Sequence, residues 1–243
     1  MKTVNLRPTL HYISFILLLM FYYERYINLD VYMSLAGTSA HLATAKILSL
    51  ITLVALFLSL LFGNRLTTLI ALICTSFVQY ESIYGADTMA YNLLLFSCFI
   101  THKKKNYDFT ALLGVLILFV SLNVIYLYNA IAKIHDANWA EGRMLTTVLA
   151  DFTPKKIFVS ETLLSFTDPI VSYGTILLQL SIILIFLKPA RKLISLCFIF
   201  CHLLIALQLP YFGLLCVVTH LYVMAYTGDI FKDLTLNIRN THD

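Results

Sequence analysis

The chain has 243 residues, 60% of them apolar and only 12% charged, with a mean hydropathy of +0.83. That is too little charge for a soluble domain of this size, and the uncharged runs are continuous rather than alternating, which excludes a membrane β-barrel. The net charge of +4 raises the question of a nucleic-acid partner, but membrane topology accounts for the placement of the basic residues, so no nucleic acid is needed.

The sequence predicts an all-α fold: a polytopic transmembrane bundle of about eight spans, one domain over residues 1–243, with both termini cytoplasmic. Span one covers 8–27. It follows Lys2 and Arg7 and ends in Tyr22-Tyr23-Glu24-Arg25 without a small-residue cleavage site, so it reads as an uncleaved anchor with interfacial tyrosines. Span two, 43–63, ends at Gly63-Asn64-Arg65, a tight inner turn that makes an antiparallel hairpin with span three (66–84). Spans three and four (86–101) have uncharged cores of about 15 residues, reaching only roughly 22 Å. Glu81 and Asp87 therefore sit either at the outer membrane edge or along a polar cavity inside the bundle.

The Lys103–Lys105 run is a cytoplasmic stop, and span five follows over 109–132. Residues 133–168 form the largest extramembrane segment, in which LTTVLA and IFVSETLLSF read as short interfacial or re-entrant helices. Span six, 169–187, opens on Asp168-Pro169, a sound helix start. The uncharged run 193–228 is long enough for two helices, with Pro210 and Gly213 supplying the break. In this topology eleven of the seventeen basic residues lie inside and nine of the thirteen acids outside. All five cysteines fall within spans, which is no disulfide framework.

The stretch Tyr126–Leu145, YLYNAIAKIHDANWAEGRML, breaks the apolar pattern. Lys133 has two readings: a snorkelling lysine at a helix C-terminus, or a partly desolvated lysine able to act as a base. Trp139, the only tryptophan, serves either as an interfacial anchor or as part of a pocket. Asp136 and Glu141 are either solvated charges or partners that position Lys133 and Arg143. His135 and Asp136 are adjacent and would point apart on a continuing helix, which argues against a dyad. His202 lies mid-span, where an ionisable residue is a functional candidate, and a structural histidine fits equally well. His220 follows beyond Pro210, so the two histidines need not share a face. There is no metal-binding, nucleotide-binding or nucleophile-elbow motif, and no metal is expected.

The segment AIAKIHDANWAEG (Ala130–Gly142) resembles the A-G-x-K-(K/L)-x-x-x-x-W-x-x-G motif of the HTTM family, which includes the membrane domain of vitamin K-dependent gamma-carboxylase. Gly85-Ala86-Asp87 is similar to the start of that family's fourth span, and His202 followed by Phe212 to its late FH…F helix; the likeness covers roughly residues 7–226. The resemblance implies a helical bundle with a reactive pocket toward the non-cytoplasmic side, holding Lys133, Trp139, Gly142 and Arg143, with Asp87 or His202 along its wall. It implies a reduced quinone as cofactor, deprotonated by a lysine before reaction with oxygen. It further implies a bacterial cytoplasmic membrane, and an exported peptide as substrate or client.

Two departures shape what carries over. The carboxylases have two adjacent lysines and use the second as base; Lys133 matches the first, and the second position is Ile134. No counterpart of the large lumenal domain that captures a propeptide is found in the 243 residues. Two functions stand at this point. One is a lysine-dependent, quinol-linked, carboxylase-like modifier, with His135, Asp136, Glu141 and His202 as further candidate catalytic residues. The other is a non-catalytic membrane subunit for maturation or export of a secreted peptide. An ordinary transporter would show repeated halves or paired broken helices, and neither is found.

Overall fold

The computed structural model describes residues 6–31, 42–79, 85–100, 109–144, 146–147, 161–207 and 209–240. Among these residues all regular structure is helical. In chain order the helices are α1 (Leu6–Ile27), α2 (Leu42–Phe62), α3 (Arg65–Gln79), α4 (Gly85–Phe99), α5 (Phe109–His135) and the short α6 (Ala137–Ala140). Then come α7 (Glu161–Leu180), prolonged by a 3-10 turn to Phe186, α8 (Lys188–Ala206), α9 (Pro210–Ala225) and α10 (Ile230–Asn240). Four helical stretches are long and apolar enough to cross a membrane (Leu42–Phe62, Phe109–His135, Ser165–Phe186 and Lys188–Ala206), and there is a fifth if α9 and the bent α10 count together.

The chain divides into two units, Met1–Phe119 with Phe186–Asp243, and Val120–Ile185. In the first, α1 packs against α2, α4 and α9, while α2 pairs with α3, α3 with α4, and α8 with α9. The side chains are sorted as lipid requires. On α2 the buried face is Ala45, Ser49, Thr52, Ala55, Leu56 and Ser59, while Ile47, Leu50, Val54, Phe57 and Leu61 point outward. Where the surroundings are as apolar as leucine, burying leucine gains little; small residues that let backbones approach, and hydroxyls that bond across helices, hold the pair instead. Ser59 Oγ accordingly lies 2.7 Å from Thr67 Oγ1 and accepts from Thr68 Oγ1 at 3.1 Å, across the Gly63-Asn64 turn that was expected there. Ser14 and Tyr222 meet at 3.1 Å to tie α1 to α9.

At the far end of this unit Arg191 is almost completely buried, at 2% exposure. Its Nη1 donates to Tyr226 O and Gly228 O, both at 2.8 Å, and its guanidinium lies over the rings of Phe119 and Tyr226. These are carbonyls at the end of α9, where the helix leaves acceptors unmatched.

Two expectations are corrected. Asp168-Pro169 does not open span six: α7 begins at Glu161 and carries Pro169 inside it, because Asp168 caps a neighbouring segment rather than its own helix, as described below. Pro210 does divide the 193–228 run, but Gly213 is not part of that break. It lies within α9, where an added Cβ would come within 2.5 Å of His202 O and 2.6 Å of Ala206 Cα, so it is the point of closest approach of α8 and α9. Glu81, the Lys103–Lys105 run and residues 148–160 lie outside the described residues.

Candidate functional site

The Tyr126–Leu145 stretch folds into a corner within the second unit. α5 runs three residues beyond the expected end of span five, so Lys133 sits in its last turn, half-buried. At Asp136 the chain leaves the helix with an extended backbone, and its carboxylate accepts from the backbone N–H of Asn138 (2.9 Å) and Trp139 (3.3 Å). An aspartate at this position satisfies amides that the first turn of α6 would otherwise leave bare. The reversal brings Trp139 back, with Lys133 Nζ 4.8 Å from the indole centroid. The ring face attracts the ammonium through its quadrupole.

The corner is braced from α7. Gly142, at φ +69°, adopts a left-handed backbone, and an added Cβ would come within 3.0 Å of Pro169 Cα; the position requires glycine on both counts. Tyr173 OH donates to Ala140 O at 3.0 Å. Ser172 Oγ accepts from Met144 N at 3.2 Å, and the buried Asp168 carboxylate from Thr146 N at 2.9 Å. Two residues one helical turn apart on α7 thus cap the segment that starts after Arg143.

The candidates therefore divide. Lys133 and Trp139 meet, Asp136 positions Trp139, and Gly142 lets the corner close. Glu141 and Arg143 pair with each other at the exposed edge. His135 is exposed, its Nδ1 2.8 Å from Ile131 O in its own helix, and forms no dyad with Asp136. No carboxylate among the described residues pairs with Lys133. Asp168 was read in the sequence only as a helix start, and Ser172 and Tyr173 were not singled out; the signal was Asp168 and Ser172 at i, i+4 beside Pro169, two cap-forming side chains on one face.

Asp87 and His202 belong to the other unit, in two separate settings. Asp87 is buried and accepts from Arg25 Nη2 at 3.0 Å, with Arg25 over the Phe21 ring, so its carboxylate faces the interior of the bundle. His202 Nδ1 lies 2.8 Å from Phe198 O, and the ring stands edge-on to Phe212 at 5.9 Å. His220 is fully buried, stacked on Phe198 at 4.6 Å and 6.0 Å from His202. The two histidines do meet, because α9 folds back along α8 at Gly213. Among the described residues no group of three or more His, Cys, Asp or Glu side chains is placed to hold a metal, and all five cysteines are free.

No family model, curated protein or solved structure matches the chain. The functional reading rests on the geometry and on the motif at Lys133.

Proposed function

We propose that this is an HTTM-like integral membrane protein in which Lys133 carries lysine-dependent, quinol-linked chemistry at the outer face of a bacterial cytoplasmic membrane, on an exported peptide. The topology proposed with it has eight spans, with both termini cytoplasmic. One observation carries the reading. Among the described lysines and arginines that are not exposed, Arg25 is bonded to Asp87, Lys46 to Asp30, Arg65 to Phe99 O and Arg191 to Tyr226 O and Gly228 O. Lys133 alone has an aromatic face and no oxygen partner. Its ammonium is held in place and its hydrogen-bonding capacity is left for a ligand.

The donor set suits a quinol: an amine to meet a ring oxygen and a flat indole beside it to meet the ring. Such a cofactor would supply reducing equivalents for the reaction with oxygen. Lys133 would bind it and exchange the proton of its hydroxyl, Trp139 and Asp136 would fix the position of Lys133, and Gly142 and Tyr173 would keep the corner closed.

A second reading is favoured by Ile134, which stands where the carboxylases place their base and is 47% exposed. On that reading the bundle is a non-catalytic subunit that has kept the corner as a docking element for a partner subunit or peptide. Oxygen-dependent quinol consumption by the purified protein, beside Lys133→Ala, separates the two. Turnover lost in the variant supports the enzyme; equal background rates in two folded proteins would remove it and leave the subunit.

A further inference from the structure

α10 follows α9 after four residues, at an angle of 57°. The direction of that bend is fixed from beneath. Arg191 holds Tyr226 O and Gly228 O, Tyr226 OH donates to Asp233 Oδ2 at 2.6 Å, and Asp229 Oδ1 accepts from Lys232 N at 3.2 Å at the start of the helix. α10 has 11 residues, IFKDLTLNIRN. At 1.5 Å per residue it reaches about 16 Å, half of a bilayer core. Ile230, Phe231 and Leu234 share one flank at helical spacing, while Lys232 lies opposite, with the exposed Leu236 beside it. Ile230 is buried in the bundle and Leu234 half-buried. Phe231 stacks on Phe186 with centroids 5.8 Å apart, yet remains 58% exposed.

A short, strongly sided helix with a polar opposite face belongs to the plane of a membrane surface rather than to its interior. α9 is apolar apart from the buried Thr219 and His220, and it ends where Arg191 holds the carbonyls of Tyr226 and Gly228 and the chain turns into α10. We infer that α10 lies in the headgroup–acyl boundary of the membrane, Phe231 and Leu234 against the acyl chains and Lys232 toward water. The occupant of its open apolar flank is membrane lipid, and the buried Arg191 clamp keeps α10 from continuing as the second half of a span. This holds whether or not Lys133 is catalytic.

The single tryptophan makes the test direct. The full chain carrying Trp139→Phe and Phe231→Trp is reconstituted into vesicles of phosphatidylcholine and phosphatidylglycerol, with lipids brominated at shallow or at deep acyl positions. Shallow bromines are expected to quench the new indole about twofold more than deep ones, as for a helix buried about 5–10 Å below the headgroups. Stronger quenching by the deep bromines would make α10 a half-span and overturn the inference. Absence of quenching by either would place it in water or against another protein and overturn it equally. Leu234→Trp in the same background repeats the measurement from the same flank, without disturbing the stack on Phe186.

Discussion

Replacing Arg191 by methionine is expected to cost about 3–4 kcal/mol of stability. Its two 2.8 Å bonds come from a charged donor and contribute about 1.5–3 kcal/mol each. The third, to Phe186 O at 3.4 Å, is too long to count fully. The rings of Phe119 and Tyr226 add about 0.5–2 kcal/mol each. Against this stands the several kcal/mol that burying a guanidinium costs, regained when the side chain is replaced. What methionine cannot supply is a donor for Tyr226 O and Gly228 O, so the net loss stays on the unfavourable side. For a chain of this size about 3–4 kcal/mol corresponds to a melting temperature lower by about 10 °C. Thermal unfolding in detergent, followed by a thiol-reactive dye, reads it, since the Cys74 and Cys216 thiols are buried and not in disulfides. Arg191→Lys should recover less than half of the loss, because one ammonium lacks the planar fork and the stacking surface. If Arg191→Met melted within about 2 °C of the parent, or lysine replaced arginine without loss, Arg191 would be an ordinary snorkelling cation and the clamp would not exist.

Breaking the Arg25–Asp87 pair one side at a time is expected to cost about 3–5 kcal/mol, because each single variant takes the opposite charge away from a group inside the bundle. Arg25→Gln with Asp87→Asn should then be less damaging than either single change in the same melt; strictly additive losses would count against the pairing. Gly213→Ala pushes a Cβ into His202 O and Ala206, where backbone must move, and should lower stability by about 1–3 kcal/mol; a parent-like melt would mean that α8 and α9 are less tightly apposed. Asp168→Ala removes the acceptor of Thr146 N and should cost about 1 kcal/mol. That loss should emerge as faster amide exchange at 143–147, and unchanged exchange there would refute the cap.

Much of the fold was legible because lipid leaves few choices. Helices stand within three residues at each end of the expected spans two, four and five, of which the second and fifth are long and apolar enough to cross a membrane, and the hairpin at Gly63-Asn64 and the break before Pro210 were read from turn residues alone. The misreading at Asp168-Pro169 has a definite cause. Aspartate before proline is a helix-start signal when its carboxylate serves its own amides, and here Thr146 N, 22 residues away, receives it instead. Sequence spacing carries no trace of that partner. The same limit applied to His202 and His220: Pro210 suggested separated faces, whereas their meeting depends on Gly213, whose missing side chain lets α9 return along α8. Arg191 was read only as one inner-side charge among many. Nothing local announces that a cation will be buried on carbonyls 35 and 37 residues later.

Within the corner, the motif was visible and its internal division of labour was not. Asp136 and Glu141 were both available in sequence to neutralise Lys133, and had either done so the lysine would be a structural cation. The chain uses Asp136 to cap α6 and Glu141 to pair Arg143. A half-buried ammonium that lacks an oxygen partner is costly to hold near a membrane, and an indole face returns only about 0.5–2 kcal/mol. Among the described residues that are not exposed, Arg25, Arg65 and Arg191 avoid that cost by reaching Asp87 or carbonyls, and Lys46 by reaching Asp30. On the proposed function Lys133 is a lysine whose partner is supplied by the ligand. If so, Lys133→Arg should keep the fold, since a guanidinium also stacks on indole, yet abolish quinol turnover, since arginine cannot give up its proton. Turnover that survived in Lys133→Arg would show that Lys133 acts only as a fixed positive charge.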